Sequence, residues 1–361
     1  MQSLSLWLKL GTIVVAIWAA AGPLPSDLVE RTYSQGFYPR LQLRLTTFSN
    51  MTAVSLLDVG AIMTVAIVAV RWFVRVRHAG RDRRRVVRTI LLLMVETLVM
   101  AAVLYLWFVV AWGMNYRRQP LRHTLDFREE RITPEALRGL ATRTISELNA
   151  LYPAAWRETW PALGEMPEFL RTGFMRAQRQ LGIGWGVVPA VPKRSLLNAY
   201  FTRTAVDGMT DPFFLETLVN QNLLPFEQPF VVAHEWAHLA GYADESEANF
   251  MGWLTCMQGD ARTRYSAWIS LYGTVLSAVP ERERAEIATS LQAGPRRDLR
   301  AMVERIEQQS IPAARRAEEA IYDRFLKANR VEAGIASYGE VVRLLLGTRF
   351  TDEGTPVLRG R

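Results

Sequence analysis

Three nearly uncharged runs crowd the first third of the chain, and they restrict its fold more than any other feature. They are residues 10–22 (LGTIVVAIWAAAG), 51–70 (MTAVSLLDVGAIMTVAIVAV) and 90–114 (ILLLMVETLVMAAVLYLWFVVAWGM). A helix needs about 20 apolar residues to cross the hydrocarbon core of a bilayer. The second and third runs meet that length. The first meets it if it begins near Leu4 and Lys9 snorkels to the interface. The sequence thus predicts a membrane region at 1–114 with transmembrane helices at about 4–22, 51–70 and 90–114, and the lipid bilayer as a partner. The first run also has the polar start, apolar stretch and small residues of a cleaved signal peptide, a reading that leaves the topology downstream unchanged.

Arginine sets the expected orientation. Residues 71–88 carry eight arginines against one aspartate, whereas 23–50 carry three arginines against two acids. Basic short loops stay cytoplasmic. Residues 71–88 are therefore expected inside, 23–50 outside, and 115–361 outside as an extracytoplasmic domain, although YRRQPLRH (116–123) opposes this with three arginines. The net charge of +8 has the same origin: residues 1–113 hold 12 basic and 5 acidic side chains, and the remainder hold 31 and 30. No basic face remains for nucleic acid. Cys256 is the only cysteine, which excludes an intrachain disulfide, and its apolar helical surroundings predict a buried core thiol.

In the outer domain, Thr133-Pro134-Glu135 starts a helix with a capping hydroxyl and a proline at the first turn. A second helix is expected near 166–181. Residues 199–222, with β-branched residues around GMTDPFF, are the candidate strands. From Pro229 onward the pattern is helical, over 230–240, 244–258, 262–279, 281–293, 296–309, 312–329 and 337–346. The expected fold class is mainly α of the α+β kind, with N-terminal transmembrane helices followed by a mostly helical domain holding a small β-sheet.

The chemistry concentrates in FVVAHEWAHLAGYADESEANF, residues 230–250. A helix turns about 100° per residue, so His234 and His238 share a face and can direct two imidazoles at one ion. Glu235, one residue round, can reach a water on that ion without binding it. This is the HExxH arrangement of zinc metalloproteases, in which Zn2+ and a carboxylate base activate the water. Two ordinary helical histidines would satisfy the same spacing. Against that, the chain holds only four histidines, and the flanks VVA and LAG are apolar. For a third ligand the residues leave two choices. Asp244 lies six past His238 after a glycine, the metzincin spacing, and Glu245 lies seven past it. Asn249, four beyond Glu245, is placed to hydrogen-bond a ligand histidine.

HEWAH followed by ESEAN resembles the gluzincin pattern. More specifically, AWGMNYRRQPL (111–121), PKRSLLNAYF (192–201), residues 229–250, and YDRFLKANR with SYGEVVRLLL (322–346) resemble a bacterial membrane family catalogued as domain of unknown function 3810. The resemblance implies a zincin-like domain with His234, His238 and Glu245 as ligands and Glu235 as general base. It also implies a location in the bacterial cytoplasmic membrane. The gap from His238 to Glu245 is shorter than in most gluzincins, which keeps Asp244 in play. Tyr338 and Tyr242 are the candidates for stabilising an oxyanion. Asp58 and Glu96, inside the second and third spans, are ionisable groups at positions where function is the default suspicion.

Two functions follow as expectations. One is a membrane-anchored metallopeptidase acting on peptides or proteins outside the membrane. The other is a catalytically idle zinc protein that binds a partner or senses a ligand. Glu235, which an idle domain is free to lose, favours the first.

Overall fold

The computed structural model describes the backbone of residues 2–331 and 333–360 and, within them, all side chains except those of residues 2–6, 335, 337 and 338. Its first helix, α1 (Gln2–Ala21), stops at a proline-rich link, because Pro23 and Pro25 cannot continue the amide ladder. The freed carbonyls at its end accept hydrogen bonds from two arginines. Arg117 donates to Ala19, Ala20 and Gly22, and Arg330 donates to Gly22 at 2.9 Å. The chain then bends by 110° into a continuous helical segment made of α2 (Ser26–Val29), a π-helical stretch (Glu30–Phe37) and α3 (Tyr38–Asn50).

The expected outer loop at 23–50 is therefore helical. Its helical character escaped the hydrophobic pattern because α3 is built the other way round: it turns polar side chains inward. Tyr38 Oη donates to the Leu239 carbonyl (2.9 Å), Gln42 to Val188 (2.7 Å), Thr46 to Leu215 (3.1 Å) and Asn50 to Pro189 (3.0 Å). Its outward face carries Leu43, Phe48 and Met51 among arginines.

Among the described residues two helices are long and apolar enough to cross a membrane, α4 (Leu56–His78) and α5 (Arg83–Ala111); the expected first span at about 4–22 makes a third only if α1 and the helical segment beyond the bend count as one. Both begin with side-chain caps, Ser55 for α4 and Asp82 for α5, and a four-residue turn, 79–82, joins them, so most of the arginines expected in a loop at 71–88 lie on the helix ends that flank it. The two suspect membrane acids have partners at opposite ends of this hairpin. Glu96 of α5 accepts from Lys9 of α1 (3.3 Å) and from Arg71 (2.8 Å) and Arg75 (3.0 Å) of α4, so the three apolar helices meet at one carboxylate. Asp58 accepts from the Ser195 hydroxyl (2.7 Å) and the Leu196 amide (2.8 Å), tying the start of α4 to the following domain.

Beyond α5 the chain packs α6 (Pro134–Ala155), capped by Thr133 as expected, and α7 (Met166–Gln180) around later helices. Residues 199–222 divide. Their first part is a helix, α8 (Asn198–Thr204), ended by Ala205 in the left-handed region, and only the second part is extended. The sheet is small and mixed, in the order β1-β3-β2: β1 (Pro192–Lys193) runs parallel to β3 (Glu216–Val219), and β2 (Gly208–Asp211) runs antiparallel to it. A buried ion pair, Lys193 Nζ to Glu216 Oε1 at 2.6 Å, crosses β1 and β3. The second oxygen of Glu216 accepts from the Leu57 amide (3.0 Å), a carboxylate at the N-terminus of α4 where the helix dipole favours it.

The core centres on α9 (Gln228–Leu239) and α10 (Glu245–Met257), in which nearly every residue is buried. Trp236, Phe250 and Leu254 are fully enclosed, and α11 (Ala261–Ser277) adds Tyr265 and Trp268 against them. Cys256 is a buried free thiol. The outer shell consists of α12 (Glu281–Thr289), α13 (Ala293–Gln309), α14 (Pro312–Ala328) and α15 (Val341–Gly347).

Candidate metal centre

The site forms where α9 and α10 meet, and the turn between them sets its geometry. Gly241 has φ of 87°, a left-handed conformation that a side chain would strain. It lets the Tyr242 amide bond back to Ala237 (3.2 Å), closing α9 in a Schellman-type turn. The same turn carries the Tyr242 carbonyl under His238, where Nδ1 meets it at 2.6 Å. Asp244 then caps α10, its Oδ1 accepting from the Ser246 amide (2.9 Å) and the Glu247 amide (3.4 Å). A carboxylate committed to those amides faces away from the histidines. Glu245, the next residue, faces them. Of the two acids the sequence left open, the fold brings only Glu245 to the imidazoles.

His234, His238 and Glu245 thus converge as a group able to hold a metal ion. The two Nε2 atoms lie 3.2 Å apart, and Glu245 Oε2 lies 3.2 Å from that of His234 and 3.6 Å from that of His238. On the far side of each ring Nδ1 has an acceptor: Asn249 Oδ1 at 2.9 Å for His234, and the Tyr242 carbonyl for His238. Those acceptors fix the protons of the neutral rings on Nδ1, so both Nε2 atoms turn lone pairs toward each other and toward a carboxylate. Glu245 Oε2 is itself buried with no hydrogen-bond partner. Three lone-pair donors at this spacing, two buried and His234 largely so, are stable only around positive charge.

A proton can supply part of that charge. Burial opposes charging His238, but the Glu245 carboxylate more than offsets it and pushes His238 up to about 9. Burial likewise works to raise Glu245, and the two histidines hold it well below the usual carboxylate range. A metal ion supplies the charge without the proton. Donors about 2.0–2.1 Å from a tetrahedral ion are separated by about 3.3 Å, and the observed separations bracket that value.

Glu235 stands outside the cluster. It is buried, and burial raises its pKa against the pull of both histidines. Its partner is Thr210 on β2, whose hydroxyl donates to Glu235 Oε2 (2.9 Å) and to the Glu235 carbonyl (2.8 Å). Gly208 lies so close that a Cβ there would fall 2.8 Å from Glu235 Oε1, so β2 can run alongside α9 only because this residue has no side chain.

Tyr322 of α14 donates its hydroxyl to Glu245 Oε1, a partner the sequence reading missed although YDRFLKANR had drawn notice. The oxyanion candidates do not join the site. Tyr242 offers its carbonyl, while its ring is buried under the Arg118 guanidinium at 4.7 Å, and the side chain of Tyr338 lies outside the described residues. Glu247 turns away and accepts from the Leu121 amide at 2.5 Å. The membrane helices reach the site through Trp112, just past α5, whose indole donates to the His238 carbonyl at 3.0 Å.

A mainly helical chain with, among its described residues, two helices of membrane-spanning length and a His-His-Glu cluster able to hold a metal defines the class. Within it, residues 33–346 match the family model described as Protein of unknown function (DUF3810), and the chain belongs to that family. No curated protein and no solved structure matches it.

Proposed function

We propose that this chain is a zincin-like, zinc-dependent metallopeptidase of the bacterial cytoplasmic membrane, with its domain at 115–361 on the outer side. The observation that carries the reading is the convergence of two Nε2 lone pairs and an unpartnered Glu245 oxygen at tetrahedral spacing. Two imidazoles and one carboxylate are a donor set zinc favours in catalytic sites, with a fourth position left over. Bound there, the metal would act as Lewis acid toward a peptide carbonyl and acidify a water.

The chain's own residues supply the rest. Glu235 takes a proton from the attacking water and returns it to the amine as the C–N bond breaks. Burial keeps its proton affinity high enough for that exchange, and Thr210 holds the carboxylate in one orientation. β2, the outer strand of the sheet, offers an edge beside Glu235 to which an extended peptide can add.

The test is purified full-length protein assayed for metal and for cleavage of a peptide library, with and without chelator. Glu235→Gln keeps shape and hydrogen-bonding reach but cannot accept the proton. It should retain one zinc per chain and lose at least about 100-fold in turnover. Equal cleavage by wild type and Glu235→Gln would sink the peptidase reading. The arginines on the helix ends that flank the α4–α5 turn support the orientation. A reporter fused after Arg88 should read as cytoplasmic and one after Arg361 as external. The opposite pair would move the cluster inside.

A further inference from the structure

Resting on the peptidase reading, we infer that the substrate is a polypeptide anchored in the same membrane, cut in the extended stretch just outside its anchor. The first observation is where β2 leads. The strand passes Glu235 at Gly208 and Thr210, and the turn that follows it is clamped between the two spanning helices. Trp107 on α5 donates its indole to the Phe213 carbonyl (3.0 Å), and the Phe213 ring lies 6.4 Å from Phe108. On the other side the Phe214 ring approaches α4 so closely that a Cβ on Gly60 would meet it at 3.3 Å. The two helices hold each other farther from this turn, through Trp72–Thr97 and the ion pairs of Glu96 with Arg71 and Arg75. The β2 turn therefore sits in the mouth of the hairpin. A peptide paired along β2 has one end at the reacting groups and the other at the membrane surface.

The second observation is what surrounds that mouth. α3, which leads directly into α4, buries its polar stripe in the protein and faces outward with Leu43, Phe48 and Met51 beside Arg40 and Arg44. Apolar side chains interleaved with arginine suit a helix lying in the headgroup layer. α14 flanks the opposite side. Its Phe325 packs on Phe108 (6.4 Å) and on Tyr116 (6.0 Å), while Tyr322 touches the ligand carboxylate. One turn before Phe325, Ile321 is 68% exposed. Leu196, held beside Asp58 at the start of α4, is 72% exposed. Single exposed apolar residues need no explanation, but these sit on segments held against the two spanning helices, and Ile321 is the neighbour of Tyr322 at the cluster. A peptide free in solution meets these side chains as an obstacle, and a membrane-anchored chain arrives already among them.

The experiment uses the full chain in phospholipid vesicles and two substrates carrying the same cleavable sequence, chosen from the library. In one, that sequence directly follows an apolar helix of about 20 residues. In the other, a flexible spacer of roughly 30 residues intervenes. Both are anchored, so their surface concentrations match. The direct fusion should be cut about tenfold faster or more. The cut should fall within roughly eight residues of the anchor, since a paired strand advances about 3.3 Å per residue. Leu196→Glu combined with Ile321→Glu, both on exposed surface, should abolish the difference between the two substrates. Equal rates for the two substrates with wild type would overturn the membrane route and leave the peptidase reading standing. A zinc-loaded protein that cuts neither substrate nor any library peptide would overturn both.

Discussion

α9 meets α10 on one flank and β2 on the other, and the two flanks handle buried charge in opposite ways. On the α10 flank the polar groups that face α9 converge. Glu245 faces both Nε2 atoms, Asn249 fixes the ring of His234, and the turn into α10 fixes that of His238. On the β2 flank the groups are kept apart. Glu235 receives one hydroxyl, from Thr210, faces the bare backbone of Gly208, and has no lysine or arginine partner among the described residues. A carboxylate that must hold a cation benefits from lone-pair neighbours aimed at the same point. A carboxylate that must take up and release a proton benefits from burial without a permanent counter-charge. One helix, by adjacent residues, presents a group to each environment.

The largest effect should come from the α10 flank. Glu245→Gln preserves shape but removes the negative oxygen, and metal content of the purified protein should collapse. Asp244→Asn should leave metal content intact, because asparagine caps a helix about as well as aspartate and the change in stability stays within a few tenths of a kcal/mol. Metal loss in the aspartate variant and retention in the glutamate variant would invert the roles of the two acids.

A smaller effect separates the flanks themselves. Asn249→Ala frees the His234 ring, and the zinc dissociation constant should rise about 10–100-fold, the range for losing an outer partner of a ligand histidine. Thr210→Val removes the hydroxyl from Glu235, so it should lower turnover and leave zinc affinity unchanged. Titration with a competing chelator reads the first and peptide cleavage at saturating zinc reads the second. If both variants move both quantities alike, the two flanks do not act separately.

The site was legible in the sequence to the extent that it is local. His234, Glu235, His238, Glu245 and Asn249 all lie within two consecutive helices and one turn, where helical periodicity and the glycine at 241 fix relative directions. What comes from afar was not legible. Thr210 and Tyr322 reach the site from a strand and a helix whose positions follow from tertiary packing, and no spacing rule connects them to residues 234–245. The same limit applied to the membrane acids. Asp58 and Glu96 read as suspects in isolation, and the fold pairs each with groups distant in sequence, Glu96 with Lys9 and Asp58 with Ser195. α3 was missed for a different reason. Its buried stripe is Tyr38, Gln42 and Thr46, and a helix that buries hydrogen-bonding groups against backbone carbonyls carries no apolar period to find.

The smallest effect concerns pH on the β2 flank. Asp211 ends the strand, fully enclosed, with its oxygens accepting from the Phe213 and Phe214 amides at 2.9 Å each. Burial, reinforced by the charge of Glu216, outweighs those amides and pushes its pKa from 3.8 up to about 7. A carboxyl whose pKa is raised by folding stabilises the fold most below its unfolded value. That stability is lost as pH rises through the folded value, because the ionised form is then buried at a cost. The window is therefore about pH 4 to 7, and the shift corresponds to at most about 4 kcal/mol at about 1.4 kcal/mol per unit. Asp211→Asn cannot titrate. It forfeits one amide contact, which lowers the melting temperature somewhat at every pH, but the fall in melting temperature between pH 5 and pH 8 should be shallower than in wild type. Zinc affinity at pH 7 should be the same in both proteins, since Asp211 touches neither imidazole. Identical slopes would mean that Asp211 is already ionised in the fold, and that the β2 flank tolerates a buried charge as readily as the α10 flank does.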